Sequence, residues 1–305
     1  MNATHMIVLM VPQGAVLEVD RVADVAQAAG AEVIEIRTVP VPVTLSDRRT
    51  VHNLLVNSAN AEGLSSRLRD LSDEHGVDIA LQPRAARCQS YRLAVFDMDS
   101  TLIDCEVIDE LAAQAGVGEK VAEITAQAMR GELDFDESYR TRLALLKGLD
   151  ASAIEELADR LPVKEGLLEM TTTLKAQGMT LAIFSGGFVP IAERLQADYG
   201  FDEVVANTLE VASGKVTGRV VPPIVNREHK ASALKALAAR LGIAVDACIA
   251  VGDGANDLDM MAMAGLGVAF HAKPAVRAAS PIEVTHCGLD GVCYLLGSEG
   301  EFADT

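Results

Sequence analysis

Asp97-Met98-Asp99-Ser100-Thr101 sets two carboxylates two residues apart, directly after the apolar run Arg92–Phe96. Carboxylates held at the end of a buried strand cost desolvation energy unless a cation neutralises them. Two further clusters share that setting. Phe184-Ser185-Gly186-Gly187 offers a hydroxyl and flexible glycines ahead of a helix, where backbone N–H groups point at an anion. Gly252-Asp253-Gly254-Ala255-Asn256-Asp257 repeats the order strand, glycine turn, acids, helix. Lys230, at the start of an amphipathic stretch reaching Leu241, lies between the second and third. Taken singly, these are a solvated acidic turn, a tight turn and a surface lysine. As an ordered set at strand ends they describe a cation and an anion held in one crevice, where an open α/β sheet places its ligands.

The elements that must position them follow from periodicity. After Arg92–Phe96, residues from Val107 to about Met170 are helical in pattern, with Leu143, Leu145, Leu146, Leu157 and Leu161 as core candidates. Met179–Phe184, Cys248–Val251, Leu266–Phe270 and Ile282–Thr285 read as buried strands, the first two followed by helices at Pro190–Asp198 and Leu258–Ala264. That alternation predicts a parallel sheet covered by helices on both faces, with the helical block inserted as a cap. Glu203–Val211 and Lys215–Val221, split by Ser213-Gly214, predict a β-hairpin. Residues 6–82 read strand, helix, strand, strand, helix, strand, the βαββαβ order of a ferredoxin-like unit. Gln82–Arg92 reads as a linker, and Pro40–Pro42 and Asp47–Arg49 as the connection between the second and third strands. The expected division is 1–85 for the first unit and 86–305 for the second, with the cap at about 107–170.

Composition narrows the chemistry. Lys plus Arg is 26 against 44 Asp plus Glu, a formal charge of -18, which repels nucleic acid and acidic membranes. A small anionic substrate is repelled as well unless a metal or a few placed cations reverse the field locally. Five cysteines without a CxxC pair predict reduced thiols. The six histidines form no HExxH-like pattern, so zinc is not expected. The first apolar run lacks a basic segment before it, and no apolar stretch approaches the roughly 20 residues of a membrane helix. A cytoplasmic protein is expected.

The order DxDST, SGG, Lys, GDGAND resembles the four motifs of the haloacid dehalogenase superfamily. From residue 93 to about 297 the chain is similar to the phosphoserine phosphatase family, through Met129-Arg130-Gly131-Glu132-Leu133-Asp134-Phe135, Ser138, Arg142-Leu143, Ile183–Phe188 and Val204-Val205-Ala206-Asn207. The resemblance implies hydrolysis of O-phospho-L-serine, the last step of serine synthesis. Asp97 would be the nucleophile, and Asp99 general acid and then base. Mg2+ would be held by the Asp97 and Asp253 side chains and the Asp99 carbonyl. Ser185, Gly186 and Lys230 would meet the phosphoryl oxygens, with Asn256 and Asp257 orienting Lys230 and metal-bound water. Glu106 would take the substrate ammonium and Arg142 its carboxylate, with Met129 and Phe135 closing apolar surface over the site. Two rivals stand beside this reading: a capped phosphatase or phosphotransferase for another small phosphomonoester, and an amino-acid sensor with an inactive core.

Residues 1–85 resemble the ACT fold in topology, which implies a homodimer and an L-serine effector, or a dimerisation module alone. The GxDRPG turn of that fold is here Pro12-Gln13-Gly14-Ala15-Val16, from which weak amino-acid binding or none is expected.

Overall fold

The computed structural model describes residues 3–40, 48–130 and 132–297; the Met129 side chain lies outside that description, as does most of the connection read between the second and third strands. The first unit runs β1 (His5–Pro12), α1 (Val19–Ala28), β2 (Glu32–Thr38), β3 (Arg49–Asn57), α2 (Ala61–His75) and β4 (Asp78–Pro83). Its sheet has the order β2-β3-β1-β4 with every pair antiparallel, the split βαβ arrangement. β1 is apolar on both faces because both are covered. Ile7 and Leu9 join Leu54, Val56, Leu64 and Leu68 beneath the helices, while Met6, Val8 and Met10 face the other way with Val51 and Leu55. β2 alternates in burial, as an edge strand does, and leaves Ile34 and Ile36 exposed. The Asn60 side chain accepts the Gly63 N–H at the start of α2, and Gly76, at φ 64, ends it in the left-handed region.

The second unit follows α3 (Arg84–Arg87). It runs β5 (Leu93–Phe96), α4 (Val107–Gln114), α5 (Gly118–Met129), α6 (Phe135–Leu145), α7 (Ser152–Ala158), α8 (Leu167–Ala176), β6 (Thr180–Phe188), α9 (Val189–Tyr199), β7 (Glu203–Ala212) and β8 (Lys215–Val221). It continues with α10 (Arg227–Leu241), β9 (Cys248–Gly252), α11 (Leu258–Met263), β10 (Leu266–Phe270), α12 (Pro274–Ala279), β11 (Glu283–Val284) and α13 (Gly291–Tyr294). The sheet order is β11-β10-β9-β5-β6-β7-β8, parallel except for the β7–β8 hairpin. Three inner strands, β5, β6 and β9, end at the three motif clusters. Helices α4 to α6 pack on one another, and the hairpin strand β8 rests on α6. α8 packs on β6 and α9. The helical insertion therefore gives way to a sheet-covering helix before residue 170. Among the described residues no helix is long and apolar enough to cross a membrane.

The stretch read as a linker is ordered and anchored by buried side chains, Gln82, Arg87 and Tyr91. Gln82 and Arg87 are buried and donate to the carbonyls of Leu295 and Tyr294. Buried Asp78 accepts the backbone N–H groups of Thr285, His286 and Cys287, at 2.6 and 2.7 Å for the first and last. Arg49 meets Asp290 at 2.7 Å with both side chains almost wholly out of solvent. The outer face of the four-stranded sheet shares a continuous core with Cys287, Leu289, Val292 and Leu295. A polar segment rich in arginine looks like a linker because its acceptors lie more than 200 residues further on.

Candidate active site

β5 is buried on both faces, and the chain leaves it at Asp97, whose Oδ1 accepts its neighbour's Met98 N–H at 2.7 Å. Lys230 Nζ lies 2.8 Å from the same oxygen and 2.7 Å from Asp257 Oδ1, with none of its side chain exposed. Burial alone would lower the lysine pKa, but Asp257 and Asp97 hold it above its ordinary value. Asp257 is pushed up by burial and by Asp97 against the pull of Lys230. Its second oxygen accepts the Gly254 N–H at 3.0 Å, locking the turn that presents Asp253.

Asp97, Asp253 and Asp257 each offer a carboxylate oxygen within 4.8 Å of the others. The three carboxylates outnumber the two ammonium groups beside them, Lys230 and Lys273, and burial and then Asp97 raise the pKa of Asp253. Hard oxygen donors in this setting fit a divalent cation. Asp257, bonded to Lys230 and the Gly254 N–H, does not reach the cavity described below, whereas Asp97 and Asp253 line it and are the side chains able to face the ion. Asp99 is half-buried, and its Oδ1 is out of solvent with no hydrogen-bond partner among the described residues. Burial, then Glu106 and Asp97, push its pKa well up, which favours the protonated carboxyl.

These groups open onto a cavity of about 1150 Å³ lined by Asp97, Asp99, Glu106, Phe135, Arg142, Ser185, Gly186, Asp253 and Asn256. Lys230 and Asp257 lie behind that wall. Ser185 is buried, and its Oγ accepts the Gly187 N–H at 2.8 Å. A Cβ on Gly187 would fall 2.6 Å from the Met98 methyl, 3.0 Å from Ser185 Oγ and 3.1 Å from Asp99 Oδ2, so a larger residue there would crowd both polar groups. Asn256 lines the cavity without a bond to Lys230 among the described residues; Asp257 alone of that pair holds the ammonium. On the cap side, Phe135 stacks on Tyr139 at 6.4 Å between ring centroids. Arg142 is anchored loosely, 3.4 Å from the Ser138 carbonyl and 3.5 Å from Thr125 Oγ1. Glu106 starts α4, and burial raises its pKa against the Ser100 hydrogen bond of 2.8 Å. Met129 ends α5, and its side chain lies outside the described residues.

Several site residues escape a reading by motif. Ser100, at a strained φ of 61, aims its hydroxyl at Glu106. Lys273 Nζ lies 3.5 Å from Asp253 Oδ2 at the cavity mouth. It follows β10 and precedes α12, so the strand-end rule that singles out the three clusters would have reached it too. Asn207 joins Gly186 O to Val225 N, at 2.7 and 2.8 Å, tying the glycine loop to the segment before α10.

A parallel sheet with acids, a hydroxyl–glycine loop and a buried lysine at its strand ends is the arrangement of a capped α/β hydrolase acting on an anionic group. The profile of the haloacid dehalogenase-like hydrolases matches residues 94–262, and the chain belongs to that family. It is 45% identical over 259 residues to a phosphoserine phosphatase of Streptomyces coelicolor, covering 84% of this chain and 63% of that protein. It is 44% identical to a phosphoserine phosphatase of Vibrio cholerae, covering 75% and 72%. The chain thus spans less than two thirds of the length of the Streptomyces relative. Among solved structures it is similar to a haloacid dehalogenase family hydrolase of Salmonella enterica serovar Typhi, with TM-score 0.85, 31% identity and coverage of 97% and 99%.

Proposed function

We propose that this chain hydrolyses O-phospho-L-serine to L-serine and phosphate with Mg2+, as the names of its relatives suggest. The observation that carries the reading is one cavity bordered by Asp97, Asp99, Asp253 and Ser185 and also by Glu106 and Arg142, an anion and a cation suited to an amino acid's two charged groups. Asp97 Oδ1 is engaged by Met98 and Lys230, so Oδ2 is the oxygen that attacks phosphorus. As that bond forms, the bond from phosphorus to the serine oxygen breaks, and protonated Asp99 gives its proton to the departing oxygen. A water then attacks the phosphoryl group on Asp97 while Asp99 takes its proton, releasing phosphate and restoring both carboxyl groups. Ser185, the Gly186 N–H and Lys230 offset charge on the transferring oxygens. Asp97, Asp253 and the Asp99 carbonyl would hold Mg2+, whose positive charge would let a carboxylate approach a phosphate dianion. The division at 85/86, pairing of two copies through their first units, a weak L-serine response and a cytoplasmic location belong to the same proposal.

Substrate choice is tested at the two charged groups. Arg142→Ala or Glu106→Gln is expected to lower kcat/KM for phosphoserine about 30-fold or more, from the roughly 2–5 kcal/mol lost with one partner of a desolvated charged contact. An aryl phosphate, which has neither group, should lose less than about threefold on the same scale. Equal losses on both substrates would remove phosphoserine from its place in this reading.

A further inference from the structure

α6 and α10 face each other across the cavity, and each carries part of the chemistry. Phe135 and Arg142 lie on α6, and Lys230 lies on α10. One hydrogen bond joins them: Asn226 Nδ2 donates to Asp136 Oδ1 at 3.0 Å. Among the described residues, no other side-chain hydrogen bond links α5 or α6 to the sheet-forming part of the molecule. We infer that this bond seats the Phe135 end of α6 against α10, and that Asp136 and Asn226 are positioning residues for the reaction; the inference rests on the reading of a cap closed over a small phosphomonoester.

Asn226 is a junction. Its Oδ1 accepts the His229 N–H at 3.0 Å, capping α10, which fixes the amide orientation so that Nδ2 must be the group facing Asp136. Its carbonyl accepts the Lys230 N–H at 2.9 Å, the bond that opens the turn carrying the buried lysine. Its neighbour Val225 is held by Asn207, which also holds Gly186. On the cap side, Asp136 follows Phe135, whose ring lies 3.3 Å from where a Gly186 Cβ would stand. The contact therefore connects the apolar lid, the anion-binding loop and the lysine helix at one point. Asp136 also lies 3.6 Å from Arg140 on its own helix, which steadies the carboxylate without joining it to the core.

The geometry allows a reciprocal test. Asn226→Asp keeps a good helix cap but sets carboxylate against carboxylate. With the full chain and Mg2+, it should lower kcat/KM about tenfold on whichever of phosphoserine and an aryl phosphate the unaltered chain turns over. It should also speed amide hydrogen exchange in α6. Adding Asp136→Asn restores a donor facing an acceptor, and both measures should return to within about threefold of their starting values. Asp136→Ala should shift both in the direction of the single variant. Unaltered kinetics and exchange in Asn226→Asp, or a double variant no better than it, would overturn the inference. Should Asn226→Asp fail to fold, unchanged exchange and rates in Asp136→Ala would do the same. Loss of phosphoserine turnover in the unaltered chain would refute the substrate reading alone, because α6 exchange and the aryl phosphate still report on the contact.

Discussion

Asp97→Asn is expected to lower turnover by roughly four orders of magnitude or more, the scale seen when a covalent nucleophile is removed, and to leave the fold intact. The amide keeps the shape of the carboxylate but cannot attack phosphorus, and no phosphorylated chain should accumulate on acid quenching. Structure should survive because buried Lys230 retains Asp257 at 2.7 Å, and because one of three crowded carboxylates has lost its charge. Calorimetry and acid-quench mass measurement check the two halves. A variant that melts early would mean Asp97 holds the strand end together, and near-normal turnover would mean water attacks directly.

The second large effect lies far from the cavity. Arg49→Ala leaves Asp290 buried without its partner, and breaking such a pair costs about 3–5 kcal/mol. For a chain of this size that lowers Tm by about 5–8 °C. Asp290 is already pushed up to about 6 by burial, so an uncompensated charge there is poorly tolerated. Removal of residues 1–85 goes further. It would uncover Val292 and Leu295 and take Asp78 from three backbone N–H groups, a large loss beside the roughly 5–15 kcal/mol of a typical domain. The shortened chain should aggregate or lose its cooperative thermal transition in place of remaining an active monomer. Scanning calorimetry on both proteins decides. A shortened chain with undiminished Tm and activity would show that these contacts contribute nothing to folding.

What the sequence discloses and what it withholds divide along contact distance. Asp97, Ser185 and Asp253 stand out because each follows an apolar run, and burial of a strand before an acid or a glycine turn is a local pattern. The βαββαβ order is equally local, and the antiparallel order β2-β3-β1-β4 follows from it. Glu106 and Arg142 needed the family resemblance, because nothing in a helical charge says which cavity it faces. Ser100 and Glu106 are only 6 residues apart, yet a serine at positive φ is invisible without coordinates. Asn226 and Asp136 are 90 residues apart and have no pattern between them. The Gln82–Arg92 stretch misleads for the same reason: its polarity suits a linker, and only the fold shows which carbonyls it meets.

The most direct measurement is initial-rate phosphate release by the full chain from O-phospho-L-serine beside a panel of other small phosphomonoesters, with Mg2+ and with chelator. The account predicts the highest kcat/KM on O-phospho-L-serine, equal yields of serine and phosphate, and loss of activity on chelation that added Mg2+ restores. A higher kcat/KM on another phosphomonoester, or full turnover in chelator, would contradict it.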